Sequence, residues 1–261
     1  MKTNLLKLTC GLALLGAAAT AQAQYTYTTL DDPLGVNGTI AIGISGNNVV
    51  GYYNDSSGNN NGFLYNGSTW TTLNYPGAVG TAVAGISGNN IVGYYNDSSG
   101  NNNGFLYNGS TWTTLNYPGA VGTVAIGISG NNVVGYYFVD SSSYAHGFLY
   151  DGSTWTTLDD PLGLATIAYG IDGDNIVGYY TDSSSGHGFL YDGSTWTTLN
   201  YPGAVGTVTI GISGNNVVGY YVDSSENIDG FEASIEPAPE PTTLALAGLG
   251  GLSLLLFRRR K

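Results

Sequence analysis

The triplet Gly-Tyr-Tyr occurs five times in this chain, starting at Gly51, Gly93, Gly135, Gly178 and Gly219, at steps of 42, 42, 43 and 41 residues. Trp70, Trp112, Trp155 and Trp196 keep nearly the same step, and the segment from Gly51 to Thr81 is identical to that from Gly93 to Thr123. A period of this size means that one supersecondary unit has been copied, each copy burying its apolar face against the next. Such uniform copies argue against an embedded active site, because a catalytic constellation requires residues that differ from one another in role.

Each copy reads as four short strands. In the second they are Thr81 to Ser87, Ile91 to Asn96, Gly104 to Tyr107 and Trp112 to Leu115, rich in the β-branched and aromatic residues that suit a pleated surface. Gly88-Asn89-Asn90 and Asn108-Gly109-Ser110 are short hairpin links, Asp97-Ser98-Ser99 opens a longer loop, and Tyr117-Pro118-Gly119 closes the unit. No stretch of the repeats has helical spacing.

The ends of the array suggest how it is arranged. Tyr25 to Leu30 matches Ser110 to Leu115 with Tyr27 in the Trp position, and the last copy stops after a third strand, Gly230 to Ser234. A ring whose last sheet is completed by the first strand of the chain accounts for both, so the expected fold is an all-β, five-bladed β-propeller of four-stranded blades closed by the N-terminal strand. An open β-solenoid is the alternative.

All six Lys and Arg residues lie near the termini, at Lys2, Lys7, Arg258, Arg259, Arg260 and Lys261, whereas the acidic residues, 18 in all, fall almost entirely between them. Residues 24–236 therefore hold no Lys or Arg salt bridge. Nucleic-acid binding rests on cationic side chains neutralising phosphates, so it is excluded as a role for that region.

Residues 1–23 read as a signal peptide: Lys2 and Lys7, an apolar run from Leu12 to Ala19, then Ala21-Gln22-Ala23 as a signal-peptidase site, with cleavage expected before Gln24. Cys10 is the sole cysteine, so the processed chain forms no disulfide. At the other end Pro239-Glu240-Pro241 precedes an apolar segment, Thr242 to Phe257, and then Arg258-Arg259-Arg260-Lys261. A helix of that length spans roughly 24 Å against a hydrocarbon core of about 30 Å, a marginal permanent anchor held by its basic end on the cytoplasmic side. This arrangement resembles the PEP-CTERM sorting signal of Gram-negative bacteria. The resemblance implies export, transient residence in the inner membrane, and cutting near Pro239-Glu240-Pro241 by an exosortase, in residues 237–261. The units of 24–236 also resemble the HAF repeat of bacterial extracellular proteins, with triplets Asn61-Gly62-Phe63, Asn103-Gly104-Phe105, His146-Gly147-Phe148, His187-Gly188-Phe189 and Asp229-Gly230-Phe231. No biochemical activity comes with that resemblance.

Three sets of residues are candidates for chemistry. Asp55, Asp97, Asp140, Asp182 and Asp223 recur once per unit in Asp-Ser-Ser, and as hard oxygen ligands they are candidate Ca²⁺ sites in an exported domain, against the plain reading that Asp and Ser favour turns. Tyr27, Trp70, Trp112, Trp155 and Trp196 are candidate sugar-stacking contacts whose weak bindings would add up, against the reading that a Trp once per unit is core. His146 and His187, at equivalent places, are candidate metal ligands or merely loop-edge residues exchangeable with Asn and Asp. No cofactor beyond Ca²⁺ is expected. Thr111-Trp112-Thr113 puts two hydroxyl-methyl side chains on one strand face, which in a flat solenoid would suit ice. Asp31-Asp32 and Asp159-Asp160 are the adjacent acids a glycan hydrolase would draw on, and both read as turn variation before Pro33 and Pro161. The expectation is a non-enzymatic cell-surface or extracellular-matrix protein that binds polysaccharide or serves as a matrix component, with a glycan hydrolase or lyase or an ice-binding protein as the alternatives and signal peptidase and exosortase as processing partners.

Overall fold

Alternating apolar and polar residues between Gly-rich turns leave each unit one way to satisfy its backbone, as an antiparallel meander, and the computed structural model shows that meander repeated. It describes residues 27–140 and 144–235. The chain divides into two units, 1–30 and 31–261. Of the first, only 27–30 are described, and they carry no strand.

The second unit is a five-bladed β-propeller, and every regular element among its described residues is a strand. Blade 1 is β1 (Thr39–Ser45), β2 (Asn48–Asn54), β3 (Asn60–Tyr65) and β4 (Trp70–Leu73); blade 2 is β5 (Gly80–Ser87), β6 (Asn90–Asn96), β7 (Asn102–Tyr107) and β8 (Trp112–Leu115). Blade 3 comprises β9 (Gly122–Ser129), β10 (Asn132–Phe138), β11 (His146–Tyr150) and β12 (Trp155–Leu158). Blade 4 comprises β13 (Ala165–Asp172), β14 (Asn175–Thr181), β15 (Gly186–Tyr191) and β16 (Trp196–Thr198), and blade 5 β17 (Gly206–Ser213), β18 (Asn216–Val222) and β19 (Ile228–Ser234). Strands pair in chain order within every sheet. The first strands β1, β5, β9, β13 and β17 contact one another in succession and form the inner layer, while the short Trp-Thr-Thr strands form outer edges.

The Gly-Tyr-Tyr triplet is explained by this meander. Each first strand shifts register opposite the triplet's glycine, as between Val83 and Gly85 facing Gly93. A Cβ on Gly93 would collide with the carbonyl oxygen of Ala82 and lie 2.8 Å from the Phe105 ring, and Gly51, Gly135, Gly178 and Gly219 are confined by carbonyls in the same way. Only glycine fits such a close backbone approach. The Phe paired with that glycine on the third strand packs beneath it: Phe63, Phe105, Phe148 and Phe189 have no exposed surface, and Phe231 of blade 5 is half-buried.

The core is a series of seams between blades. Val50, Leu73, Val83, Ile86, Ile91 and Phe105 cluster between blades 1 and 2. Val92, Leu115, Ala125, Val133 and Phe148 do so between blades 2 and 3. Val134, Ala168, Ile171 and Ile176 join blades 3 and 4, and Val177, Leu190 and Val217 join blades 4 and 5. A hydrogen bond rides on each seam: Gly88 N–H donates to Ser45 Oγ (3.1 Å), Gly130 N–H to Ser87 Oγ (3.1 Å), Gly173 N–H to Ser129 Oγ (3.3 Å) and Gly214 N–H to Asp172 Oδ2 (2.6 Å).

The expected closing strand is absent from the described residues. Blade 5 has three strands there, Gln24 to Thr26 lie outside them, and Tyr27 is 93% exposed with no pairing.

Candidate functional site

The loops that join second to third strands carry the recurring aspartates, and in blades 1, 2 and 4 the meander connects the aspartate, through one further side chain, to the link that follows the fourth strand. In blade 1, Asp55 Oδ1 accepts hydrogen bonds from the Ser57 and Asn59 N–H groups, both at 2.9 Å. Its Oδ2 accepts from Asn61 Nδ2 (3.3 Å), whose own Oδ1 accepts from Asn74 Nδ2 (2.7 Å). Asp97, Asn103 and Asn116 repeat this relay in blade 2 at 3.3 and 2.7 Å. In blade 4 it runs through imidazole: His187 Nε2 lies 3.2 Å from Asp182 Oδ2, and Nδ1 2.9 Å from Asn200 Nδ2. The tautomer protonated at Nε2 satisfies both contacts. In blade 3, His146 Nδ1 lies 2.9 Å from Asp159 Oδ2, and Asp140 is exposed at the loop. Asp223 keeps the loop bonds, from Ser225 N–H (2.7 Å) and Asn227 N–H (2.9 Å).

These donors favour the ionised carboxylates. Asp55 and Asp97 are held below the usual range chiefly by the N–H groups of Asn59 and Asn101, Asp182 chiefly by the Ser184 hydroxyl, and Asp223 chiefly by the Asn227 carboxamide. The carboxylates recur as expected, one per loop. Among the described residues no three His, Cys, Asp or Glu side chains converge as a metal site. His146 and His187 occupy separate relays, each standing where blades 1 and 2 have Asn.

A tyrosine lies beneath each relay, paired across the strands with its middle member: Tyr53 with Asn61, Tyr95 with Asn103, Tyr137 with His146 and Tyr180 with His187. The His187 and Tyr180 rings stack at 5.0 Å, and those of His146 and Tyr137 at 5.3 Å. In blades 2, 3 and 5 a second tyrosine from the preceding link covers the first: Tyr75 on Tyr95 (3.8 Å), Tyr117 on Tyr137 (3.7 Å) and Tyr201 on Tyr221 (3.7 Å). Blades 1 and 4 have Asp32 and Asp160 instead, both buried, each accepting from the N–H two residues on and donating its own N–H to Thr39 or Thr166. Burial pushes the Asp160 carboxyl up. With no ring over Tyr53, blade 1 keeps an open cleft of about 350 Å³ lined by Pro33, Leu34, Val36, Tyr53, Asp55 and Asn61. A second cleft of about 340 Å³ lies between the loops of blades 1 and 2, lined by Asn59, Asn60, Asn96, Asp97 and Ser98.

The tryptophans start their strands at the opposite end of the blades, yet in blades 2 and 3 their rings reach the link tyrosines edge-on, Trp112 to Tyr75 (5.6 Å) and Trp155 to Tyr117 (5.5 Å). Trp112 starts β8 opposite Tyr107, the last residue of β7, whereas the Asp97 loop precedes β7. Each is half-buried against its own third strand: Trp70 on Phe63 (5.0 Å) and Tyr65 (4.6 Å), Trp112 on Phe105 (5.0 Å) and Tyr107 (4.5 Å). Trp155 and Trp196 repeat this on Phe148 and Phe189 (5.0 and 4.9 Å). The tryptophans thus border the tyrosines that cover the relays, while the aspartates stand in the loops beyond them. Sequence reasoning missed the Asn of the relays and Asn74, Asn116 and Asn200; their signal was the paired change to His146 with Asp159 in the third copy where the first two have Asn with Asn.

Residues 237–261 match the PEP-CTERM protein-sorting motif. That motif marks an exported chain with a membrane-anchored sorting signal that exosortase processes. Pro239, Glu240, Pro241, Arg258, Arg259 and Arg260, and the apolar segment between them, lie outside the described residues, as does the signal peptide; among the described residues no helix is long and apolar enough to cross a membrane. No curated protein matches the chain. Among solved structures, the acylaminoacyl peptidase of Pyrococcus horikoshii is 11% identical with a TM-score of 0.52, over 77% of this chain and 37% of the peptidase. The chain thus spans well under half that enzyme's length, and the likeness is one of fold. The SapL1 lectin in complex with alpha methyl fucoside is 19% identical with a TM-score of 0.45, over 78% of this chain and 85% of the lectin. The fungal lectin of Aleuria aurantia, a six-bladed β-propeller, is 18% identical with a TM-score of 0.44, over 78% and 79%.

Proposed function

We propose that the exported propeller is a non-enzymatic surface or matrix protein that binds extracellular polysaccharide at the loop ends of its blades. The observation that carries this reading is the repeated relay of carboxylate, carboxamide or imidazole, and carboxamide beside an open cleft at Tyr53, Asp55 and Asn61. Ionised oxygens accept from sugar hydroxyls, amides donate to them, and an adjoining aromatic edge suits the apolar face of a sugar ring. The relays of blades 1, 2 and 4, repeated on one face, would add weak bindings. The likeness of the units to HAF repeats belongs to the same proposal, with the triplet's Phe explained as core and its variable first residue as the relay's middle member.

The adjacent acids do not favour a hydrolase. Asp160 and Asp32 hold turns, and Asp159 binds His146. The test is co-sedimentation of the exported chain with a panel of insoluble and secreted polysaccharides, with and without Ca²⁺. Binding lost in Asn61→Ala and Asp55→Ala but kept in Trp112→Phe supports the loop-end site. Loss in Trp112→Phe alone would move the site to the opposite end, and Ca²⁺-dependent binding lost in Asp55→Asn would make the aspartates cation ligands. No binding to any polysaccharide sinks the reading.

A further inference from the structure

The four seams bury the same positions each time. Val50, Val92, Val134 and Val177 are all 0% exposed, each meeting the first strand of the next blade. There Val83, Ala125, Ala168 and Thr209 are equally buried. Past the last blade the pattern is present without its mate. Val218, the fifth member of the first series, is 48% exposed. Before the first blade, Ala41 is exposed where its four equivalents are buried, and Ile44 is 71% exposed where Ile86 and Ile171 are 9%. Among the described residues, one chain therefore carries an unfilled tail face on blade 5 and an unfilled head face on blade 1, the two halves of one more seam.

Two further features belong to the same unfilled seam. Gly85, Gly127 and Gly170 stand where the next blade's backbone closes in: Cβ atoms there would lie 2.6, 2.7 and 2.8 Å from the carbonyl oxygens of Ile126, Tyr169 and Ile210. Gly211 keeps the glycine although a Cβ would meet only its own blade's Val218. The seam hydrogen bonds likewise run from Gly88 to Gly214, with Gly46 N–H at the head and Ser213 Oγ at the tail as the members that would form the next.

We propose that the tail face of one molecule docks on the head face of a second copy, reproducing the blade-to-blade seam between chains. Val218 packs on Ala41 and Ile44, the second copy's first strand approaches Gly211, and Gly46 N–H donates to Ser213. The contact is heterologous, so assembly continues head to tail. One residue departs from the template: Glu232 takes the place that Leu64, Leu106, Leu149 and Leu190 hold opposite their valines. It puts an acceptor at the rim, where Asn47 on the head offers a carboxamide. With no cation in residues 24–236, the copies repel at long range, so association strengthens as salt screens them. This inference does not rest on polysaccharide binding, which uses the loop ends, and either stands if the other fails.

The processed chain has no cysteine, so Ile44→Cys with Val218→Cys in one exported chain gives a clean cross-link test, since a disulfide needs Cα atoms within roughly 7 Å. Oxidation should give a ladder of multimers on a non-reducing gel. A band of monomer mass without free thiols would mean that the ring closes within one chain, and a monomer with both thiols free would mean that the faces never meet; either overturns the proposal. As a second measurement, Ile44→Glu and Val218→Glu chains should each be monomeric alone and form a one-to-one dimer when mixed, because each retains the face the other lacks. A mixture that stays monomeric while both variants keep the wild-type circular dichroism also overturns it.

Discussion

The ring of Tyr117 stacks on that of Tyr137 with centroids 3.7 Å apart and planes 2° from parallel, and its hydroxyl lies 2.7 Å from Thr157 Oγ1. One side chain from the link between blades 2 and 3 thus fastens the loop end of blade 3 by stacking and by a hydrogen bond. Tyr117→Phe should keep the stack and cost about 1 kcal/mol, the net value of one hydrogen bond. Tyr117→Ala removes both and should cost about 2–4 kcal/mol in urea unfolding.

Gly93→Ala should be far more damaging than its size suggests. The added methyl meets the Ala82 carbonyl and the Phe105 ring, so the register shift of β5 must be lost or the blade opened. An expected loss of more than about 4 kcal/mol, against about 1 kcal/mol for a glycine-to-alanine change at the exposed Gly100, can be read from paired melting curves.

Phenols make the fold sensitive to alkali. Burial raises the pKa of Tyr169 from 10.0 to about 12, and burial likewise raises that of Tyr137 to about 12. In the unfolded chain both ionise near pH 10. Between about pH 10 and 12 the unfolded state therefore binds fewer protons than the folded one, and stability falls as pH rises. Below pH 10 both states hold the protons and these groups exert no pH effect. Stability measured by urea titration should be flat from pH 8 to 9.5 and then decline.

Acid should act on the other end of the scale. The loop carboxylates Asp55, Asp97, Asp182 and Asp223 have folded pKa values lowered by their N–H and side-chain donors, so their contribution is complete above the unfolded value near 4 and fades as pH falls below it. They lie at the surface, so the change should be local: lower amide protection factors, relative to the intrinsic rate at each pH, at Ser57, Asn59, Ser99 and Asn101 below pH 3, with core protection factors unaltered.

His146→Asn should be close to neutral, within about 0.5 kcal/mol, because Asn61 and Asn103 already hold that place. His187→Ala, which leaves Asp182 and Asn200 without their shared partner, should cost more, about 1–2 kcal/mol.

Much of this fold was legible because the repeats state their own alignment. Trp112 to Leu115 is the strand expected, and Thr81 to Ser87 and Ile91 to Asn96 each begin one residue earlier than the pattern suggested. The third strand gains Asn102 and Asn103, whose polar side chains disguised them as loop but whose backbones pair with Asn96 and Tyr95. For Tyr25 to Leu30 the pattern shared with β8 reports propensity and not the neighbour it takes, and Tyr25 and Thr26 lie outside the described residues. The aspartates were visible as a series, but their partners lie 6 and 13 residues apart across three strands, and only strand register brings Asp55, Asn61 and Asn74 together.

The seam hydrogen bonds and valines repeat from blade to blade, and so nothing in any one seam depends on how many blades there are. Unequal recombination between the identical stretches at Gly51 and Gly93 would add or remove a whole blade while recreating every junction unchanged. Blade number in such a chain is thus free to drift between closely related lineages, and length polymorphism in steps of one repeat is the genetic signature the architecture leads one to expect.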